Sequence, residues 1–215
     1  MESMKPQLER RFFSHQPVIE TREEGKPSVI AGYAALFNVR TVIWGMFEES
    51  IAPGAFTRAI EEKHDTRSLF NHDMNIVLGR TKNGSLLLRE DEKGLWTETM
   101  PPDTQQARDV VENIRNGNVD QMSFAFIPKR TKWTFSEERG VMDHCEILDV
   151  DLYDVSPVTF PAYQETSVGL RSASEETYKQ AREEWQRAKE PEAPVIVTVD
   201  PSSYLLKVRC LRASL

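Results

Sequence analysis

The sequence predicts an α+β protein in which short strands outnumber helices. Three observations carry this. Runs of β-branched and aromatic residues, such as SVIAGYAALFN at Ser28–Asn38 and the stretch from Val141 to Phe160, are bounded by glycine, proline and polar clusters. Two other segments repeat apolar residues at helical spacing: Ala107, Val110, Val111 and Ile114 in one, and Tyr178, Ala181, Trp185 and Ala188 in the other. Composition then changes after about Gly169, where a charged helix gives way to PEAP and a short terminal segment. The expected organisation is a polar extension over 1–27, one folded domain over 28–169, and a tail over 170–215 formed by a helix, a linker and a last strand at Val195–Val199.

Residues 1–27 are polar and read as either a poorly ordered segment or an edge extension, with no role for His15. In Ser28–Asn38, Gly32 suggests a bulge or a close backbone approach. Val39–Glu49 reads as a loop with a short strand. In IAPGAFTRAIEEKH, Pro53 suits a first helical turn, and Phe56, Ala59 and Ile60 share one face. His64 falls at the C-terminal end of that helix, where a positively polarised side chain complements the dipole. Arg67–Phe70 and Ile76–Arg80 read as strands. Ser85–Glu90 and Leu95–Met100 flank DEKG and read as a hairpin, with Gly94 closing the turn. Asp103 is the expected N-cap of the next helix and Gly117 its C′ residue. That helix delivers the chain to a strand carrying Ser123 in QMSFAF. Lys129–Glu138 reads as a polar connection, and Val141–Leu152, continuing to Phe160, as a long strand ended by Pro161. Trp96, Phe124, Phe126, Phe160 and Tyr163 are expected in the core.

Composition excludes several classes. The 215 residues suffice for one sizeable core with appendages. A net charge of -7 argues against a dedicated nucleic-acid binder, which shows a basic excess or stripe. No apolar run approaches the roughly 18 residues a membrane span needs. The opening MESMKPQLERR has no signal-peptide core. Cys145 and Cys210 lie far apart and lack metal-ligand spacing, which fits a reducing compartment without a structural disulfide. HExxH, the P-loop, a GxGxxG after a strand and GxSxG are all missing. His144 beside Cys145 resembles a cysteine-peptidase pair, but neighbours on a strand point to opposite faces.

What remains is His72, after a short apolar run in LFNHD, and Ser123 inside an apolar strand. A serine peptidase needs these two residue types as base and nucleophile. Taken alone, they are equally a strand-end histidine and a small packed serine. Their surroundings decide. GYAALFN, IAPGAF, LFNHD followed by VLGRT, the glycine-terminated helix before MSFAF, and DVSPVTFPAY resemble, in order, the prohead proteases of tailed double-stranded-DNA phages. The resemblance spans Ser28 to Val168. That family is in turn similar to the herpesvirus assemblin, a serine endopeptidase.

The resemblance implies a mostly antiparallel β-barrel surrounded by helices. It implies His72 as general base and Ser123 as nucleophile. It places Asp154, in YDVSPVTFPAY, where the family shows an acid; Asp151 and His144 are the alternatives. Arg80 in VLGRT is a candidate oxyanion donor beside backbone N–H groups. No metal or organic cofactor is implied. The implied substrates are the scaffolding part of the capsid protein, or a separate scaffold protein, and the chain itself. The implied setting is the prohead assembling in the host cytoplasm. Premature proteolysis would destroy an unassembled shell, so control by assembly is expected, and the herpesvirus likeness suggests a homodimer as one means. Two readings of the tail stand side by side: a segment that docks into the scaffold or capsid lattice and is later cut off, and a solvated helical appendage. Two competing readings are a non-enzymatic internal scaffold on the same fold and a separate host hydrolase.

Overall fold

The computed structural model describes residues 8–13, 17–20, 28–160 and 168–189. His15, Pro161, Tyr163, Cys210, the PEAP linker and the expected Val195–Val199 strand lie outside them. Contacts divide the chain into residues 1–181 and 182–215. The first unit holds every described strand, arranged in two sheets.

The larger sheet has seven strands: β1 (Glu9–Phe13), β4 (Thr41–Ile43), β5 (Phe47–Ile51), β6 (Arg67–Phe70), β7 (Asp73–Arg80), β10 (Gln121–Thr134) and β11 (Asp143–Val158). The smaller has β2 (Val18–Glu20), β3 (Val29–Leu36), β8 (Leu86–Glu90) and β9 (Gly94–Thr99), in the order β2-β3-β9-β8. In the larger sheet the order runs β1-β10-β11-β5-β4, while β6 pairs with β11 and with β7. The described strands do not close into the barrel the resemblance implies. The reason lies in β11. One edge pairs with β10 along nearly its whole length. The other is divided between two parallel partners, β5 over Asp143–Ile147 and β6 at Asp154 and Val155. The pairing therefore branches there instead of returning to its start.

The core forms between the sheets. Ala34, Ala35, Leu86 and Leu95 of the smaller pack against Phe124, Phe126, Ile147, Leu152 and Val155 of the larger. Phe56 joins them just before α1 (Thr57–Glu61), a short helix. Gly94 starts β9 where an added Cβ would lie 1.9 Å from the Ala35 carbonyl oxygen, so only glycine fits. Gly32 pairs in register with Thr97, and the irregularity comes later, between Tyr33 and Ala35.

Helix α2 (Gln105–Arg115) buries the whole predicted stripe, Ala107, Val110, Val111 and Ile114, against Ile30, Leu78 and Val119. Each of the larger side chains contributes roughly 1.5–3 kcal/mol by burial. The N-cap is Thr104, whose Oγ1 accepts from the Ala107 N–H at 3.3 Å. Asp103 sits one residue too early and pairs with Arg108 instead. Gly117 has the expected positive φ, 71°. The segment read as a polar connection is strand as far as Thr134, because Thr131 and Trp133 continue the ladder opposite Ile147 and Cys145. Helix α3 (Val168–Lys189) rests on the larger sheet through Tyr178. That ring stacks on Phe47 at 5.3 Å, and its hydroxyl donates to Asp143 at 2.8 Å.

Candidate active site

Strand alternation sets the site. Met122, Phe124 and Phe126 of β10 point into the core and are fully buried, which turns Ser123 and Ala125 to the opposite face. On β11, Ser156 stands opposite Ser123, and Asp154 opposite Ala125. Paired residues share a face, so Asp154 and Ser156 lie on the serine side. On the other flank, β1 places Phe12 opposite Ser123 and Arg10 opposite Ala125.

The histidine arrives from a turn. Phe70 pairs with Asp73, leaving Asn71 and His72 as a two-residue connection between β6 and β7. Their φ angles are 54° and 58°. This is the left-handed pair of a type I′ hairpin, where Asn-Gly is the favoured dipeptide. A histidine in the glycine position costs on the order of 1–2 kcal/mol and persists only where its surroundings hold it. They do so here. The Asn71 N–H donates to the Pro157 carbonyl at 3.1 Å. Its side-chain amide donates to Thr159 Oγ1 at 3.0 Å and accepts from the Thr159 N–H at 2.9 Å. The turn is thereby fastened to the end of β11.

This geometry brings three predicted residues together. His72 Nδ1 lies 2.6 Å from Asp154 Oδ1, and Nε2 lies 2.7 Å from Ser123 Oγ. Asp154 Oδ1 also accepts from the Ser156 hydroxyl at 2.7 Å. With Nδ1–H donated to the carboxylate, the lone pair of Nε2 faces the serine. Ser123 Oγ lies equally close, at 2.8 Å, to the Arg11 carbonyl oxygen in β1. One hydroxyl proton thus has two acceptors. The group is well shielded: Ser123 is 1% exposed, and the His72 and Asp154 side chains 5% and 9%. Beside it an open groove is lined by Arg10, Asn71, His72, Val158, Thr159 and Phe160. Phe160, expected in the core, is 73% exposed at its rim, because the ladder ends at Val158.

The other candidates are engaged elsewhere. Asp151 accepts from Arg58 Nη2 at 2.7 Å and faces Lys129 at 3.4 Å. Burial pushes its carboxyl up, but the Arg58 hydrogen bond and the Lys129 charge outweigh that and hold it below the usual carboxylate range. His144 Nε2 meets Ser50 Oγ at 2.8 Å, and burial, with the Arg40 charge, lowers its pKa. Arg80 makes two 2.6 Å hydrogen bonds to Asp65 rather than facing the serine. His64 sits between Glu62 and Arg58. Cys145 is a free thiol in the core, and burial pushes its pKa well up. Among the described residues, no group of three or more His, Cys, Asp or Glu is arranged to hold a metal ion.

Sequence reasoning missed three neighbours of the site. Asn71 had a readable signal, since FNHD between two strands fits a two-residue hairpin. Ser156 had a weaker one, standing two residues after Asp154 and so on the same strand face. The Arg11 carbonyl had none, because backbone contacts leave no mark in side-chain pattern.

Comparison with known proteins adds independent information. The model of the caudovirus prohead serine protease family matches residues 17–181. The prohead protease of Enterobacteria phage HK97 is 26% identical over 166 residues, covering 76% of this chain and 68% of that protein. Among solved structures, the bacteriophage T4 capsid assembly protease, gp21, aligns with a TM-score of 0.49 and 11% identity, over 72% of this chain and 98% of that one.

Proposed function

The chain belongs to the caudovirus prohead serine protease family, and from that premise we propose that Ser123, His72 and Asp154 are the catalytic triad of an endopeptidase that cleaves the scaffolding portion of the capsid protein, or a separate scaffold protein, and its own chain inside the prohead. At the level of the family it is a serine peptidase of capsid maturation. The observation that carries the residue assignment is the unbroken relay from Asp154 through His72 to Ser123, with links of 2.6 and 2.7 Å.

The chemistry follows from the relay. His72 Nε2 takes the Ser123 proton as Oγ attacks a peptide carbonyl. Asp154 keeps the ring in the Nδ1–H tautomer and stabilises the imidazolium that forms. The tetrahedral adduct collapses to an ester on Ser123 Oγ, and His72 returns its proton to the departing amine. Water then attacks the ester with His72 again as base, releasing the acid and restoring the hydroxyl. Ser156, donating to Asp154, holds the carboxylate in line with the His72 ring.

Intact-mass measurement of the purified chain beside its Ser123→Ala variant tests this reading. Truncation of the wild type alone is expected and maps the preferred bond. The same truncation in both would assign the cut to another protease.

A further inference from the structure

We propose that Gln121 is a substrate-binding residue of the site: its side-chain Oε1 accepts a hydrogen bond from a main-chain N–H of the peptide to be cut, at about two residues from the scissile carbonyl. This rests on the reading of Ser123 as nucleophile.

Strand geometry puts Gln121 beside the reacting atoms. It opens β10, and Met122, between it and Ser123, points into the core, so Gln121 stands on the serine face. Two strand residues span about 7 Å. Its partner in the ladder is Val158, in the same unshifted stretch that pairs Ser123 with Ser156. Paired residues share a face. Val158 lines the groove beside His72, with Thr159 and Phe160 following it. The histidine turn is fastened on both sides of Val158, since Asn71 bonds to the Pro157 carbonyl and to Thr159. Arg10 lies opposite Ala125, toward the other end of the same face. A peptide in the groove with its carbonyl at Ser123 therefore passes Gln121 on its way to Phe160.

The Gln121 carboxamide is not engaged there. Among the described residues, its Oε1 is the one buried side-chain oxygen or nitrogen with no hydrogen-bond partner. Asp154, Ser156, His72 and Asn71 of the same site are all bonded. A buried acceptor without a donor destabilises the protein that carries it, and native structures hold few of them. Opposite Val158, an apolar side chain would suit the free protein better. The missing partner is a donor. A peptide entering the groove brings one N–H per residue, proline apart, and each needs an acceptor once the groove removes it from water. Gln121 supplies that acceptor at the Phe160 end. Because the bond goes to main chain, it adds affinity for peptides of any sequence.

The test uses the full chain, its Gln121→Met variant, which keeps the side-chain length and removes both polar ends, and a peptide spanning the bond that intact mass maps. The variant is expected to lose about tenfold in kcat/KM, carried by KM. The same peptide is then made with one backbone N–H at a time replaced by an ester oxygen, the scissile amide being kept. One ester should raise the wild-type KM by about tenfold and add nothing in Gln121→Met. The free variant should melt higher, by roughly 2–4 °C, because the unpaired acceptor is gone. A wild-type KM in the variant, or an undiminished penalty from every ester, would overturn the proposal. So would a lower Tm, which marks Oε1 as a structural group. Cleavage of the peptide by Ser123→Ala would instead remove the nucleophile assignment, and the proposal with it.

Discussion

Asp154 and Asp151 stand three residues apart on the same strand, and both are candidates for the third member of the triad. The structure gives them different partners. Asp154 meets His72 at 2.6 Å and the Ser156 hydroxyl at 2.7 Å. Asp151 meets Arg58 and Lys129 beside an open, charged groove. The divergence begins in the ladder. Asp154 pairs with Ala125, but the register shifts between Ala125 and Phe126, and Asp151 pairs with Ile127. Two chemically identical carboxylates thus acquire different surroundings from their neighbours: one orients the His72 ring, and the other anchors an arginine. The residue type offers a role, and the cross-strand partner decides it.

The comparison can be broken or sharpened by substitution. The largest effect is expected from His72→Ala, which removes the proposed base. Cleavage of a scaffold-bearing capsid protein should fall by about 10⁴-fold or more, with the fold retained by circular dichroism. Asp154→Asn comes next, since an amide favours the wrong imidazole tautomer; the expected loss is about 10⁴-fold in kcat. Asp151→Asn should leave the cleavage rate within about threefold, and its cost should appear in stability. Arg58 and Asp151 are 32% and 27% exposed, so solvent screening limits that cost to about 0.5–1 kcal/mol, read as a Tm lower by roughly 1–4 °C. Ser156→Ala removes one donor to the Asp154 carboxylate. The expected loss is about tenfold in kcat, with KM unchanged, because Ser156 acts through Asp154 rather than on substrate.

The smallest effect concerns a third carboxylate, Asp65, which also faces arginine. Hydrogen bonds from Arg80, with the charges of Arg67 and Lys82, bring its pKa from the ordinary 3.8 to about 2. A carboxyl depressed in the folded state adds stability above its ordinary pKa, and that stability is lost as the pH falls through the folded value. The contribution should therefore be full above about pH 4 and gone below about pH 2. The pair is 32% and 38% exposed, so added salt should weaken it. A carboxyl NMR titration of Asp65 checks this, with Arg80→Gln expected to move the midpoint back toward the ordinary value.

Much of this was readable before any coordinates. The hairpin of β8 and β9 and the buried stripe of α2 follow from periodicities that local geometry enforces. His72 and Ser123 stood out because five segments in order carried a family resemblance. The third acid stayed open between Asp154, Asp151 and His144 because the register shift turns Asp154 and Asp151 to the same face, opposite Ala125 and Ile127, and which of them lies beside the serine depends on the pairing of two strands. The turn holding His72 was missed because a histidine occupies the position where glycine usually marks a type I′ hairpin. Strand β1 looked like a polar extension, since LERRFF has no clean alternation and its place is set by a buried ion cluster with Glu49, 38 residues away from Arg11. The barrel came from resemblance alone, and the branching at β11 depends on long-range pairing that no local pattern records.

The central claim is that Asp154, and not its neighbour on the same strand, completes the triad with His72 and Ser123. The most direct measurement is the mass of a scaffold-bearing capsid protein co-expressed with the wild type, Ser123→Ala, Asp154→Asn or Asp151→Asn. The account predicts processed capsid protein with the wild type and Asp151→Asn, and full-length protein with Ser123→Ala and Asp154→Asn. Processing by Asp154→Asn at the wild-type level, or its loss in Asp151→Asn alone, would contradict it.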